Sequence, residues 1–505
     1  MAEPGIHVST TCGTVEGFAN GGVRRWRSIP YARPPVGPLR LRAPQPPVPW
    51  RGVRYCHDFA FCAPQRRRYT LVGVNKFQPM SEDCLTLNVV APSAPSEEPL
   101  PVMFFIHGGG YMLGSSATPI YDGAALARRG CVYVSANYRL GALGALDLSS
   151  LSTGEHPIEG NLFLRDLVLA LGWVRDNIAA FGGDPDRVTI FGESAGAHAV
   201  ATLLAVPAAG GLFAGAIIES PASGMVCHSD AAARFADEFA ELLGARPGDA
   251  HVSIGAILMS AAPHHLVKAL DRLLARTVSD LAGSFAIGPT VDGDYLPRDP
   301  VAAIARGEAH RVPVVVGGNA EEGRLFTRWL KMMPMTPSVI DRMLADLDPA
   351  ARERSAAAYP DYPDPDACVR LGADMCFSTA VWQIAEAHSR HAPTWQYRYD
   401  YAPRTLNWAG LGATHAMELL AVFDTYRTRL GSLLTVAADR RSAVRVSTNI
   451  QARWLAFGRT GIPGKGWPNY TEADRAVMVF DRFSGIEFDP HPARRQAWEG
   501  FSLAR

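Results

Sequence analysis

The chain has 505 residues, 48% of them hydrophobic and 19% charged, with 49 basic side chains against 49 acidic ones. Such a chain can bury a large core. Its zero net charge argues against a nucleic-acid footprint or an electrostatic hold on an anionic membrane. The basic runs Arg66-Arg67-Arg68 and Arg440-Arg441 are short and read as solvated surface. No stretch reaches the roughly 18–20 uninterrupted apolar residues that a membrane-spanning helix needs. Met1–Thr11 shows no basic segment leading into an apolar one, so no secretory signal is read and a cytoplasmic location is expected. The eight cysteines form no CxxC pair and no His/Cys cluster of zinc spacing, so no metal is expected and most should be small buried apolar residues.

Taken in chain order, the first fifty residues are rich in Pro, Gly and Arg and predict short strands and loops, because eight prolines between Pro30 and Pro49 leave no room for a long helix. Leu85–Val90 predicts a strand ended by Pro92. Val102–Ile106 is a continuous apolar run, as a strand buried on both faces should be, and it leads directly into His107-Gly108-Gly109-Gly110. Cys131–Ala136 is a strand of the same kind. Leu162–Phe181 has helical spacing, with Leu164, Leu167, Val168, Leu171 and Val174 on one face, and Gly182-Gly183-Asp184-Pro185 stops it. Val188–Gly192 is the next strand, an Ala-rich helix opens at about Ala195, and Ala214–Glu219 and Val312–Gly317 close the set of buried strands. The stretches 231–276 and 338–359 look helical. Alternating strand and helix imply an α/β protein with a central, mostly parallel sheet covered on both faces. With no repeat and no long linker, residues 1–505 read as one domain with helical insertions between the later strands.

Gly192-Glu193-Ser194-Ala195-Gly196 follows an apolar strand and opens a helix, the context in which a serine is presented as a nucleophile on a tight turn. A serine hydroxyl needs a base to take its proton, and the developing oxyanion needs donors worth roughly 3–4 kcal/mol each. The glycine run after Val102–Ile106 can turn backbone N–H groups inward. Gly109, Gly110 and Ala195 are the expected donors. The residues alone also expect the acid and the base to follow the serine in the order acid then histidine, with fourteen histidines competing for the second role.

The sequence resembles the type-B carboxylesterase family, which includes cholinesterases and neuroligins. The resemblance rests on Thr14-Val15-Glu16-Gly17, Ile29-Pro30-Tyr31-Ala32, Pro34-Pro35-Val36-Gly37, Ser81-Glu82-Asp83-Cys84-Leu85-Thr86-Leu87-Asn88, Asn137-Tyr138-Arg139-Leu140 and Phe181-Gly182-Gly183-Asp184-Pro185, besides the Ser194 motif. It spans nearly the whole chain and is densest in the first 220 residues. It implies the α/β-hydrolase fold and a serine hydrolase of carboxylic esters. Within Val316–Gly323 it implies Glu322, rather than Glu321, as the acid. Within Gly412-Ala413-Thr414-His415 it implies His415 as the base. Glu193 and Ser220 are implied to stand close behind these three, Arg33 and Glu82 to form a buried ion pair, and Cys62 and Cys84 to be able to close a disulfide.

The implied reaction has His415 accept the Ser194 proton during attack on the ester carbonyl while Glu322 orients the imidazole. An acyl-enzyme forms, and water activated by His415 releases the acid. No metal or organic cofactor enters, and the partner is a small-molecule ester. Two other readings stay open: a catalytically inactive binding or adhesion protein on the same fold, and an acyltransferase or amidase using the same triad. Val74 stands where the family's choline-stacking Trp is expected, and Met332, Met333 and Met335 lie in a segment that could wall the entrance. Short to medium acyl esters of uncharged alcohols are therefore expected over choline esters.

Overall fold

The computed structural model describes residues 6–73, 75–246, 248–280, 285–328, 336–345, 349–436 and 439–501. Thirteen strands form its main sheet. They are β1 (Ile6–Thr10), β2 (Gly13–Asn20), β3 (Val23–Pro30), β4 (Val53–Tyr55), β5 (Thr86–Pro92), β6 (Leu100–Ile106), β7 (Val132–Ala136), β8 (Gly183–Glu193), β9 (Gly215–Glu219), β10 (Val314–Asn319), β11 (Thr394–Tyr399), β12 (Ala476–Phe480) and β13 (Gly485–Phe488). Their spatial order is β1-β2-β3-β5-β7-β6-β8-β9-β10-β11-β12-β13, with β4 beside β2. The run from β7 to β12 is parallel, and antiparallel strands flank it on both sides.

The apolar runs earn their place through the pleat. Val102, Phe104 and Ile106 enter the core on one face, against α1 (Leu162–Asn177) and α2 (Ala195–Leu203), while Met103 and Phe105 enter the other. That second core is closed by the long helix α3 (Arg440–Thr460), through Val446, Ile450, Trp454 and Phe457. Successive side chains point to opposite faces, so a strand covered on both sides has no polar alternation.

Two parallel strands exceed the expected set. Thr394–Tyr399 alternates Trp395, Tyr397 and Tyr399, buried on the α3 side, with Thr394, Gln396 and Arg398 opposite, so it lacks a continuous apolar run. Ala476–Phe480 is buried throughout and carries the central-strand pattern in only five residues. The helical insertions fall where expected: Ser229–Leu242, His251–Ser260 and Pro263–Asp280 between β9 and β10, and Pro337–Ala345 and Pro349–Ala358 between β10 and β11. Among the described residues no helix is long and apolar enough to cross a membrane.

Two expectations from the resemblance are corrected. Glu82 pairs with Arg40, not Arg33: Arg40 Nε lies 2.8 Å from Glu82 Oε2, and Nη2 meets Oε1. Arg40 also caps the C-terminal carbonyls of Leu258, Met259 and Ala261, which only a side chain reaching inward can do, whereas Arg33 is exposed and bonds Gln45. Cys62 and Cys84 are unbridged buried thiols. Burial pushes the Cys62 thiol up to about 12 and that of Cys84 higher still.

Candidate active site

The strand order reverses beside β6: the chain passes from β6 to β7 on one side, then crosses to β8 on the other. Connections leaving the carboxyl ends of β6 and β8 therefore diverge, and a crevice opens between them. The glycine loop follows β6 and Ser194 follows β8. Ser194 sits at φ 59° and ψ −126°, a strained conformation for a residue with a side chain. It is held by its N–H to Glu219 O (2.9 Å) and by His198 N–H to its own carbonyl (2.9 Å). The flanking glycines are sterically required, since a Cβ on Gly192 would lie 2.5 Å from Ile106 O and one on Gly196 only 2.1 Å from it.

Gly109 and Gly110 adopt φ 114° and 58°, and a Cβ on the preceding Gly108 would stand 3.1 Å from the Ser194 Cβ. The loop thus lies against the elbow. The N–H groups of Gly109, Gly110 and Ala195 donate to no acceptor among the described residues. His107 and His198 are fixed elsewhere. His107 stacks on Tyr138, and His198 Nδ1 bonds the Tyr111 hydroxyl at 2.8 Å. Burial lowers both to about 4, so they stay neutral near pH 7.

His415 arrives from the loop after β11. Its Nδ1 is 2.6 Å from Glu322 Oε2, and both residues are buried. Glu321, by contrast, pairs with Arg324 at 2.9 Å near the surface. His415 Nε2 stands 3.0 Å from Glu193 Oε1, with no aligned hydrogen bond from either atom. Burial opposes a charge on His415, but the Glu193 and Glu322 carboxylates outweigh it and hold the imidazole well above its ordinary pKa. Phe377, on a π-helical turn at Asp374–Ser378, lies 4.4 Å from the imidazole, and Phe326 lies 5.1 Å from it. Such a turn re-aims one side chain out of helical register.

Behind the imidazole the polar groups interlock. Glu322 Oε1 accepts from Asn319 N–H (2.7 Å) and lies 2.5 Å from the Ser220 hydroxyl. Asn319 Nδ2 donates to Glu418 Oε2 at 2.5 Å, and the Ser220 hydroxyl is 3.1 Å from Glu418 Oε1. Glu219 accepts from Trp454 Nε1 at 2.6 Å. Burial, with neighbouring carboxylates, pushes Glu219 well up and Glu418 up to about 8. Glu322, His415, Glu193 and Ser220 thus form one buried polar cluster, and the glycine loop lies against the Ser194 turn next to Glu193.

A sequence profile described as the carboxylesterase family matches residues 4–498. The chain belongs to this family. It is 38% identical to the para-nitrobenzyl esterase of Bacillus subtilis (strain 168), over 97% of each chain. Solved relatives agree: a PNB esterase structure superposes with a TM-score of 0.86 at 36% identity, covering 97% of this chain and 99% of the other. The Geobacillus stearothermophilus carboxylesterase gives 0.83 at 34% identity, covering the same shares. The fold is that of the α/β-hydrolases, and the protein is a hydrolase of carboxylic esters.

Three residues of this carboxylesterase site escaped the sequence reading. Asn319 lies inside the motif that holds Glu322, and its position at the strand end was the available signal. Phe377 and Trp454 carry none, because only tertiary folding brings them to His415 and Glu219. Val74, Met332, Met333 and Met335 lie outside the described residues. No group of metal-ligating side chains is assembled for an ion among the described residues.

Proposed function

We propose that this carboxylesterase, acting as one domain over residues 1–505, cleaves short to medium acyl esters of uncharged alcohols through a Ser194–His415–Glu322 triad. The observation that carries the reading is the imidazole held at Nδ1 by Glu322, with Nε2 left unaligned beside the Ser194 elbow. During attack His415 takes the Ser194 proton, the Oγ–acyl bond forms, and the C–O bond to the alcohol breaks as His415 returns the proton to it. The buried Glu322 favours the imidazolium in the transition state. The N–H groups of Gly109, Gly110 and Ala195, free of other acceptors, are suited to the oxyanion. Water activated by His415 then releases the acid. The acyl preference rests on Val74 and the Met332–Met335 segment.

An organophosphorus ester should label the protein at Ser194 alone. Ser194→Ala should abolish labelling and lower kcat by on the order of a millionfold without changing the melting temperature. Labelling elsewhere, or substantial turnover by the variant, would remove the nucleophile assignment. Values of kcat/KM for p-nitrophenyl butyrate, p-nitrophenyl palmitate and butyrylthiocholine test the preference separately, with butyrate expected first.

A further inference from the structure

A second cavity of about 310 Å³ opens between β3, β5 and the chain that follows the glycine loop, lined among others by Arg27, Phe59, Ser116, Thr118 and Tyr121. That volume is within the range of small-molecule sites. Its charges are unbalanced. Arg25, at one side, is neutralised by a forked pair of bonds to Asp122 at 2.9 and 3.1 Å. Arg27 has no such partner. Its guanidinium lies 4.4 Å from the Phe59 ring and 5.0 Å from the Phe18 ring, Nη1 donates to His57 O at 3.1 Å, and Nε is buried without a partner. Asp122 and Asp58 act on Arg27 only through space, and burial lowers its pKa. The guanidinium nevertheless remains charged, because arginine does not lose its proton in proteins.

Hydrogen-bond donors are also in surplus. Asn88 Nδ2 donates to the Ser116 hydroxyl at 2.9 Å and to that of Ser135 at 3.2 Å, which leaves the Ser116 hydrogen to be given away. The Thr118 hydroxyl bonds nothing among the described residues. The fully buried Arg139 and Arg40 are matched by carboxylates, Asp166 and Glu82; the half-buried Arg27 is not. A guanidinium lying over two phenyl rings thus shares one cavity with two donor hydroxyls, and no carboxylate pairs with it.

We propose that this cavity binds a small carboxylate attached to an apolar group, held by the Arg27 guanidinium and the Ser116 and Thr118 hydroxyls, with Phe59 and Tyr121 against the apolar part. The site is distinct from the Ser194 crevice. The carboxylate belongs to a free acid, because β3 and β8 lie four strands apart, roughly 19 Å at the usual strand spacing, too far for one small ester to reach both Arg27 and Ser194.

Isothermal titration of the full chain with benzoate and its uncharged counterpart benzamide tests this, after Ser194 has been phosphonylated to occlude the triad. Mass spectrometry reads the phosphonylation first, so its failure is not mistaken for failure of the cavity. Benzoate should bind, benzamide should bind at least tenfold more weakly, and Arg27→Gln should weaken benzoate at least tenfold. Thr118→Val, which leaves the guanidinium in place, should weaken benzoate severalfold and covers the case in which the Arg27 variant does not fold. No benzoate binding, equal binding of benzamide, or affinities untouched by Arg27→Gln and Thr118→Val would overturn the proposal.

Discussion

Buried carboxylates occur in two settings in this protein, and the settings differ in what balances the charge. Asp166 is gripped by Arg139 through Nε and Nη2, at 2.9 and 2.6 Å, and Glu82 is gripped by Arg40 in the same forked manner. Behind His415, Glu193, Glu219, Glu322 and Glu418 are all buried, with no arginine or lysine pairing with any of them among the described residues. They rely on Asn319, Ser220, Trp454 and the imidazole. A forked arginine satisfies its carboxylate with two charge-assisted bonds and turns it into a fixed strut. Where cations are absent, burial and mutual repulsion set the protonation of Glu219 and Glu418, and the imidazole collects what negative charge remains. The first setting holds the chain together. The second gathers carboxylates around one imidazole.

The sharpest way to break this contrast is at the triad. Glu322→Gln should lower kcat by on the order of 10⁴, because the imidazole loses the group that fixes its tautomer and stabilises its charge. Glu321→Gln, which cuts only a surface pair with Arg324, should change kcat less than about twofold. Parallel kinetics on the two variants decide it, and equal losses would move the acid to Glu321.

A strut should fail differently. Asp166→Ala leaves Arg139 charged and buried, so urea unfolding should show a loss of about 3–5 kcal/mol. Turnover per folded molecule should remain near normal. A variant as stable as the parent would show that the pair contributes no net stability.

Glu193 allows a finer test. Its carboxylate helps raise the His415 pKa, so the imidazole stays protonated, and inactive as a base, to higher pH than usual. Glu193→Gln should therefore shift the acid limb of the kcat/KM profile to lower pH by on the order of one unit. An unmoved limb would mean that the 3.0 Å contact does not govern the titration.

The smallest effect concerns Glu418, whose folded pKa is raised to about 8. Between the ordinary carboxyl value and 8 the folded protein holds a proton that the unfolded chain has lost. The associated stability is fully present below the ordinary value and is lost as pH rises through 8. Glu418→Gln mimics the protonated form, so the fall in melting temperature from pH 5 to 8.5 should be shallower in the variant than in the parent. Parallel curves would sink the assignment.

Much of the site was legible from local pattern. Ser194 was marked by its own strand, turn and helix within about fifteen residues, and the glycine loop by the strand before it, because both depend on backbone geometry that short-range sequence dictates. Glu322 and His415 were placed by resemblance, since nothing local separates them from the other acids and histidines. Several outcomes depended on tertiary packing. Arg40 rather than Arg33 reached Glu82 because the end of the His251–Ser260 helix offers it three carbonyls. Thr394–Tyr399 entered the sheet despite its polar half, because Trp395, Tyr397 and Tyr399 alone fill the core beneath α3.

The sequence by itself determined where the strained Ser194 turn stands, which glycine loop follows the neighbouring strand and that a parallel sheet carries both, because turn sterics and strand burial act over neighbouring residues. Only the tertiary structure decided which cation meets which carboxylate, that Phe377 and Asn319 confine His415 and Glu322, and that Arg27 is left at a cavity with no carboxylate paired to it. Charge pairing and burial depend on distances between chain segments well apart in sequence, 27 residues for Arg139–Asp166, 42 for Arg40–Glu82 and 93 for Glu322–His415, and no local pattern encodes those.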